Sequence, residues 1–401
     1  MKPQHSRNFT RTLLIQALAL GAAATFATGV QADAPSYTIV DLGVIGNGEF
    51  SQAFGNSRNG NFVVGRSSDS HDQAYRWSAQ GGMQALGNID GRQFATAHGV
   101  NNAGLTVGVS ATTWFGTAPL PVMWNPNGSV TALTLPEGYG SGAAFAVNAS
   151  GLIAGTATSG QGDRAVLFNA ATGSGSVISA TTANGSFMTN AFGVNDAGLV
   201  VGIGIDPSDF ALIVGMVYNT NTGQMSSLGA LPGQNSAINF GVSNNGYVVG
   251  SSSIYSSDGS PFIWSASQGM KAISLPPNTS TGSGSGVNDK GWVVGNAGGE
   301  FSIPFLYADG ATYTIQSLLP AGSDWDFSTN TSASAMSIAD NGSIVGTAVH
   351  NGQVHAYQMT LVSSVPEPES WVLTFAGLMV VGGVAAKGRK EKAKAKSLAT
   401  V

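Results

Sequence analysis

Gly193-Val-Asn-Asp-Ala-Gly-Leu-Val-Val-Gly202 is the stretch of this 401-residue chain whose reading decides the fold. Asn195-Asp-Ala-Gly198 stands between an apolar-aromatic lead-in (Ala191, Phe192, Val194) and the apolar run Leu199-Val-Val201. Asn or Asp suits the first position of a type I turn, and glycine suits the φ > 0 position that follows, so the stretch predicts a hairpin connection. The apolar run is short, apolar at successive positions and closed by Gly202. That pattern suits a strand buried on both faces better than a helix.

The stretch recurs as Val100-Asn-Asn-Ala-Gly-Leu-Thr-Val-Gly108, Val147-Asn-Ala-Ser-Gly-Leu-Ile-Ala-Gly155, Val242-Ser-Asn-Asn-Gly-Tyr-Val-Val-Gly250, Val287-Asn-Asp-Lys-Gly-Trp-Val-Val-Gly295 and Ile338-Ala-Asp-Asn-Gly-Ser-Ile-Val-Gly346. A first copy ends Phe62-Val-Val-Gly65 and sets Asn61 in the place of the turn glycine. Asn is the non-glycine residue that best tolerates the left-handed region. The closing glycines lie 43 to 51 residues apart, the period of propeller blades built from four short strands. A predicted third strand ends on an aromatic, as in Tyr75-Arg-Trp77, Val122-Met-Trp124 and Phe262-Ile-Trp264. A turn and a fourth strand follow, as in Met83–Leu86 or Met225–Leu228.

Tyr37-Thr-Ile-Val-Asp-Leu42 precedes the first copy and reads as a fourth strand, whereas the seventh unit has none after His355–Leu361. An N-terminal strand completing the last blade would close the ring and leave only short, protected edges. The expectation is an all-β, seven-bladed β-propeller of four-stranded blades over residues 33–364.

Residues 1–32 read as a secretory signal peptide: Lys2, Arg7 and Arg11, an apolar segment from Leu13 to Thr28, and cleavage between Ala32 and Asp33. At the other end, residues 365–370 hold Pro366, Glu367 and Pro368, residues 371–386 form an uncharged run, and the tail 387–401 is rich in lysine. As a helix the run is ~24 Å long, enough for a transmembrane segment if flanking lysines snorkel. The basic tail would stay cytoplasmic and place the body outside. From Ala34 to Val365 there are 7 Lys and Arg against 17 Asp and Glu, which argues against nucleic acid as a partner. The chain has no cysteine, so disulfides and thiolate chemistry are excluded.

The three-part C-terminal pattern Val365-Pro-Glu-Pro-Glu-Ser-Trp371, apolar run and basic cluster resembles the PEP-CTERM sorting signal of Gram-negative, exopolysaccharide-producing bacteria. That resemblance implies export through the Sec translocon and a precursor anchored in the inner membrane. It also implies recognition of Pro366, Glu367 and Pro368 by an exosortase that processes the chain. The body resembles the extracellular HAF-repeat family, whose units pair an Asn-x-x-Gly-x-Val-Val-Gly hairpin with a His-Ala-Phe-type strand. The second half is kept as His355-Ala-Tyr357 and elsewhere reads Gln73-Ala-Tyr75 or Pro261-Phe-Ile263.

No catalytic set is visible, and no cofactor or metal motif. His71, His98, His350 and His355 lack metal-motif spacing, and His355 reads as structural because it holds a repeat position. The pairs Asp69 with Asp72, Asp206 with Asp209 and Asp324 with Asp326 read as solvated loop charge rather than a Ca²⁺ site. Asp196, Asp289 and Asp340 read as hairpin turn residues. Gly282-Ser-Gly-Ser-Gly286 lacks the lysine and helix of a phosphate loop and reads as a flexible turn. Trp114 and Trp325 fall off the repeat and are candidates for stacking on a sugar ring. The function expected is a non-enzymatic binding or structural role at the cell surface or in the extracellular matrix, with exopolysaccharide or envelope proteins as partners. A lectin-like propeller, or a polysaccharide hydrolase or lyase with its site in the central channel, is the alternative.

Overall fold

The computed structural model describes residues 34–362, other than 70, 114–117, 256–258 and 299–300. The signal segment with Ala32 and Asp33, Trp114, and the C-terminal 365–401 with Pro366, Glu367 and Pro368 lie outside the described residues. Among the described residues no helix is long and apolar enough to cross a membrane.

Seven antiparallel sheets follow one another along the chain, six of them four-stranded with neighbours in sequence order. Blade 4 is representative: Phe187–Val194, Leu199–Asp206, Asp209–Asn219 and Gln224–Ser227. The first strands of successive blades touch in a closed cycle, Phe50–Asn56 meeting both Phe94–Val100 and Ser334–Ile338. These strands therefore surround the axis. The ring closes as expected: Tyr37–Asp41 pairs antiparallel with Gln353–Leu361, from Tyr37 opposite Leu361 to Asp41 opposite Tyr357. The last blade is thus made of both ends of the described chain.

The apolar runs are second strands, fully buried on both faces, as Val200, Val201, Val248, Val249, Val293 and Val294 show. Each hydrophobic cluster takes residues from adjacent blades. Val201, Val217 and Leu228 of blade 4 pack with Ala237, Val242 and Phe262 of blade 5. Burying one such side chain stabilises by about 1.5–3 kcal/mol, and here the burial exists only because a neighbouring copy covers the face.

Three local readings need correction. Gly202 does not close its strand, which runs on to Asp206. A Cβ on Gly202 would lie 1.8 Å from the Asn190 carbonyl oxygen, and Gly65 and Gly250 are crowded in the same way by the first strands of their blades. The glycine is required by close backbone approach. Nor is Asn61 the turn residue of blade 1. Gly60 takes that role with φ +75°, its N–H donating to Ser57 O as Gly198 N–H donates to Asn195 O, and Asn61 is one inserted residue. Gly282–Gly286 is not a turn but part of the first strand Thr281–Val287. Small residues suit it because a Cβ at 286 would meet Ser337 Cα at 2.9 Å.

Candidate functional site

All seven first strands carry a register shift at the same place, facing the crowded glycine. The residue it bulges out is Phe54, His98, Phe145, Phe192, Phe240, Ser285 or Met336 in blades 1 to 7. A bulge re-aims a side chain, and here it turns one residue per blade toward the axis. The next residue is small, because inner strands converge there: a Cβ on Gly55 would lie 2.5 Å from His98 O and one on Gly99 would lie 2.6 Å from Phe145 O.

The re-aimed rings form a continuous arc. Centroids are 5.9 Å apart for Phe54 and His98, 5.5 Å for His98 and Phe145, 5.2 Å for Phe145 and Phe192, and 5.9 Å for Phe192 and Phe240. These are tilted or edge-to-face contacts of the favourable kind. Ser285 and Met336 complete the circle. Phe240 is 39% exposed. The arc borders a cavity of about 410 Å³ that also reaches Ser283 and Asn296. On the side of the first hairpin turns it borders a smaller space of about 190 Å³ that includes Arg58. Arg58 crosses the axis from blade 1 and donates through Nη2 to Val242 O of blade 5 at 2.8 Å. Burial, with the nearby Arg66 guanidinium adding to it, pushes the His98 imidazole down to about 4. His98 is thus neutral near pH 7 and behaves there as another ring.

At the hairpin turns the repeat asparagine links blades. Asn101, Asn148 and Asn195 donate through Nδ2 to the carbonyls of Asn148, Asn195 and Ser243 at 2.8–3.0 Å. Asp196, Asp289 and Asp340 accept on Oδ1 from the N–H of Ala149, Asn245 and Asp289. Their task is to join blades, which the turn reading did not include.

The other predicted residues separate. Asp72 is turned inward to Arg66, 2.8 Å away, rather than toward Asp69. Asp206 accepts from Ser208 and Asn184, and Asp209 from Ala211. Asp326 accepts from the N–H groups of Ser328 and Thr329. Trp325 is 5% exposed and its ring lies against His350, centroids 4.4 Å apart at 7°, so it has no free face for a sugar. Stacking candidacy passes to the channel rings. Their signal was in the sequence, since a bulky residue stands two places ahead of Asn56, Val100, Val147, Val194 and Val242.

At the seam the fold brings together residues that spacing kept apart. Asp41 Oδ2 lies 2.9 Å from His350 Nδ1 and 2.8 Å from His355 Nδ1, and His350 Nε2 lies 3.0 Å from Asp324 Oδ2. Burial opposes the charge on His350, but the hydrogen bonds to Asp41 and Asp324 hold its imidazole above the ordinary value. Burial likewise opposes the Asp41 charge, and the bonds from His355, Gly43 and His350 hold that carboxyl below its ordinary value. His355, expected to be structural, is therefore also part of this polar cluster, with its Nε2 buried and without a hydrogen-bond partner.

No family model matches this sequence, and no curated protein sequence does either. Among solved structures the fold is similar to an oligogalacturonate lyase from Vibrio parahaemolyticus, at TM-score 0.50 and 11% identity over 82% of this chain and 98% of that one. A streptogramin B lyase gives TM-score 0.45 at 10% identity over 81% of this chain and 98% of that one. The Dos1 propeller gives 0.42 at 14% identity over 75% and 76%. At these identities the likeness is one of fold, and the fold to which the chain belongs is the seven-bladed β-propeller.

Proposed function

We propose that this chain is an exported binding protein of the cell surface or extracellular matrix, and that its ligand, an exopolysaccharide segment, enters the propeller channel and stacks on the aromatic arc. The observation that carries the reading is the arc itself: five rings from five blades, each turned to the axis by a bulge. The residues bordering the cavity are aromatic, small and polar, or Met336, and none of them is a carboxylate. Such a lining suits the CH faces of sugar rings and offers no paired acid and base for glycoside cleavage. This favours the lectin-like, non-enzymatic reading over a hydrolase.

Export is the second half of the proposal and is supported by the sequence. The segment 1–32 would direct the chain to the Sec translocon. The run 371–386 would hold the precursor in the inner membrane until an exosortase acts near Pro366, Glu367 and Pro368. Mass spectrometry of the C-terminal peptide of the mature protein tests this half; a mature chain still ending at Val401 would overturn it.

Affinity electrophoresis of the full chain, in mild detergent, through gels containing extracellular polysaccharide tests the binding half. Retardation should weaken roughly three- to tenfold for Phe145→Ala or Phe192→Ala, the loss of one stacked ring. Release of new reducing ends, or retardation of both variants equal to that of the unaltered chain, would overturn it.

A further inference from the structure

We propose that Asp41, His350 and His355 form a divalent transition-metal site that pins the N-terminal strand to the last blade. Their ligand atoms lie within 4.8 Å of one another. The strand register puts them on one face. Asp41 stands opposite Tyr357, two residues from His355, and His355 stands opposite Ala348, two residues from His350. Three adjacent strands thus deliver one ligand each. Two imidazoles and a carboxylate suit zinc, nickel or copper, and three protein ligands with an open position form a common zinc arrangement.

The polar contacts of the cluster converge on one carboxylate oxygen. Asp41 Oδ2 only accepts, so both Nδ1 atoms facing it must carry protons in the metal-free form. His350 Nε2 points away from that oxygen, toward Asp324 Oδ2 at 3.0 Å and the Asn351 amide nitrogen at 3.3 Å. A divalent ion would replace the two Nδ1 protons and leave Nε2–H on Asp324. That is the carboxylate–histidine–metal arrangement that fixes a ligand's tautomer and raises its basicity. The surroundings already hold the parts in place. Gly43 N–H donates to Asp41 Oδ1 at 2.8 Å and leaves Oδ2 for the ion, while Trp325 lies flat on His350. All three ligands are half-buried, so an ion could reach them from solvent.

The chain has no cysteine, so a metal here would be the cross-link that a disulfide could otherwise supply at the seam. Asp41 lies 309 residues from His350, so ring closure is joined to metal binding.

The test uses the untagged full chain in mild detergent, stripped with chelator and titrated with cobalt chloride, then zinc chloride. One equivalent of Co²⁺ should give the visible d–d bands of a low-coordinate site, which Zn²⁺ should displace, and Zn²⁺ should raise the thermal midpoint. His350→Gln and His355→Gln should abolish the bands while His71→Gln keeps them. Asp324→Asn should weaken Co²⁺ binding by roughly 10- to 100-fold. Absence of bands and of a zinc-dependent midpoint shift in the unaltered chain would overturn the proposal. So would bands that persist in both His350→Gln and His355→Gln. Because the first readout needs no variant, a seam that fails to fold on substitution does not protect the idea.

Discussion

Asn148, buried in the turn of blade 3, donates through Nδ2 to the main-chain carbonyl of Asn195, its own counterpart one blade on, at 3.0 Å. Its Oδ1 meanwhile accepts from the N–H groups of Ser150 and Leu152 in its own turn. One side chain therefore closes its hairpin and registers it against the next blade. Asn195 repeats the arrangement toward Ser243 and is fully buried. Removing such a partner leaves buried backbone groups unsatisfied, at about 1–3 kcal/mol. Asn195→Ala should lower unfolding stability by that amount in urea. Asn195→Asp should do at least as badly, because it keeps the acceptor, loses the donor and buries a charge. A change below ~0.5 kcal/mol in both would show that the inter-blade bond is dispensable.

The seam makes a separate claim. Tyr37 is 1% exposed and packs in a cluster with Phe327, Ile344, Tyr357 and Met359 of the last blade. Truncating a buried aromatic costs about 3–5 kcal/mol. Tyr37→Ala should therefore destabilise far more than Val40→Ala, since Val40 lies on the same strand but is 47% exposed. Equal effects of the two in thermal unfolding would mean the strand is not a latch.

Glycines in the repeat do two different jobs, and substitution separates them. Gly223 has φ +70° and open space around the place of a Cβ, so Gly223→Ala should cost only the left-handed strain, about 1–2 kcal/mol. Gly202 is not in the left-handed region, yet its Cβ would overlap Asn190 O at 1.8 Å. Backbone cannot rotate away as a side chain can, so Gly202→Ala should exceed Gly223→Ala and should disturb the bulge at Phe192. Comparable denaturation midpoints for the two would refute the crowding argument.

The period, the apolar second strands and the unpaired Tyr37–Leu42 segment were legible because each is local: a turn signal, a run of β-branched residues, a strand too many at one end. What remained hidden depends on contact between strands. The reason for Gly202 is a neighbouring strand, so the residue looked like a terminator. The bulge at Phe192 is a pairing property, which no single strand displays. Asp41 meets His350 and His355 only after the ring has closed, so spacing along the chain carried no trace of the cluster. Trp325 looked free because it stands outside the repeat, but it serves as the plate on which His350 rests.

His98 couples the stability of the ring to pH. Blades 1, 3, 4 and 5 put phenylalanine at the bulge, while blade 2 puts a titratable ring between Phe54 and Phe145. Burial and the Arg66 charge push its imidazole to about 4, against ~6.5 for an unfolded histidine. Between those values the unfolded chain binds a proton that the folded chain refuses, so stability falls as pH drops from about 6.5 toward 4. The full shift corresponds to ~3 kcal/mol, and solvent reaching the ring from the channel brings the loss below that figure. His98→Phe removes the proton site and keeps the arc of rings. Its unfolding free energy should match the unaltered chain more closely at pH 7 than at pH 4.5, where the variant should be the more stable by 1 kcal/mol or more. Other titrating groups are common to both chains, so the difference between the two pH profiles isolates this ring. Parallel profiles over that range would mean His98 accepts its proton freely and is not held within the stack.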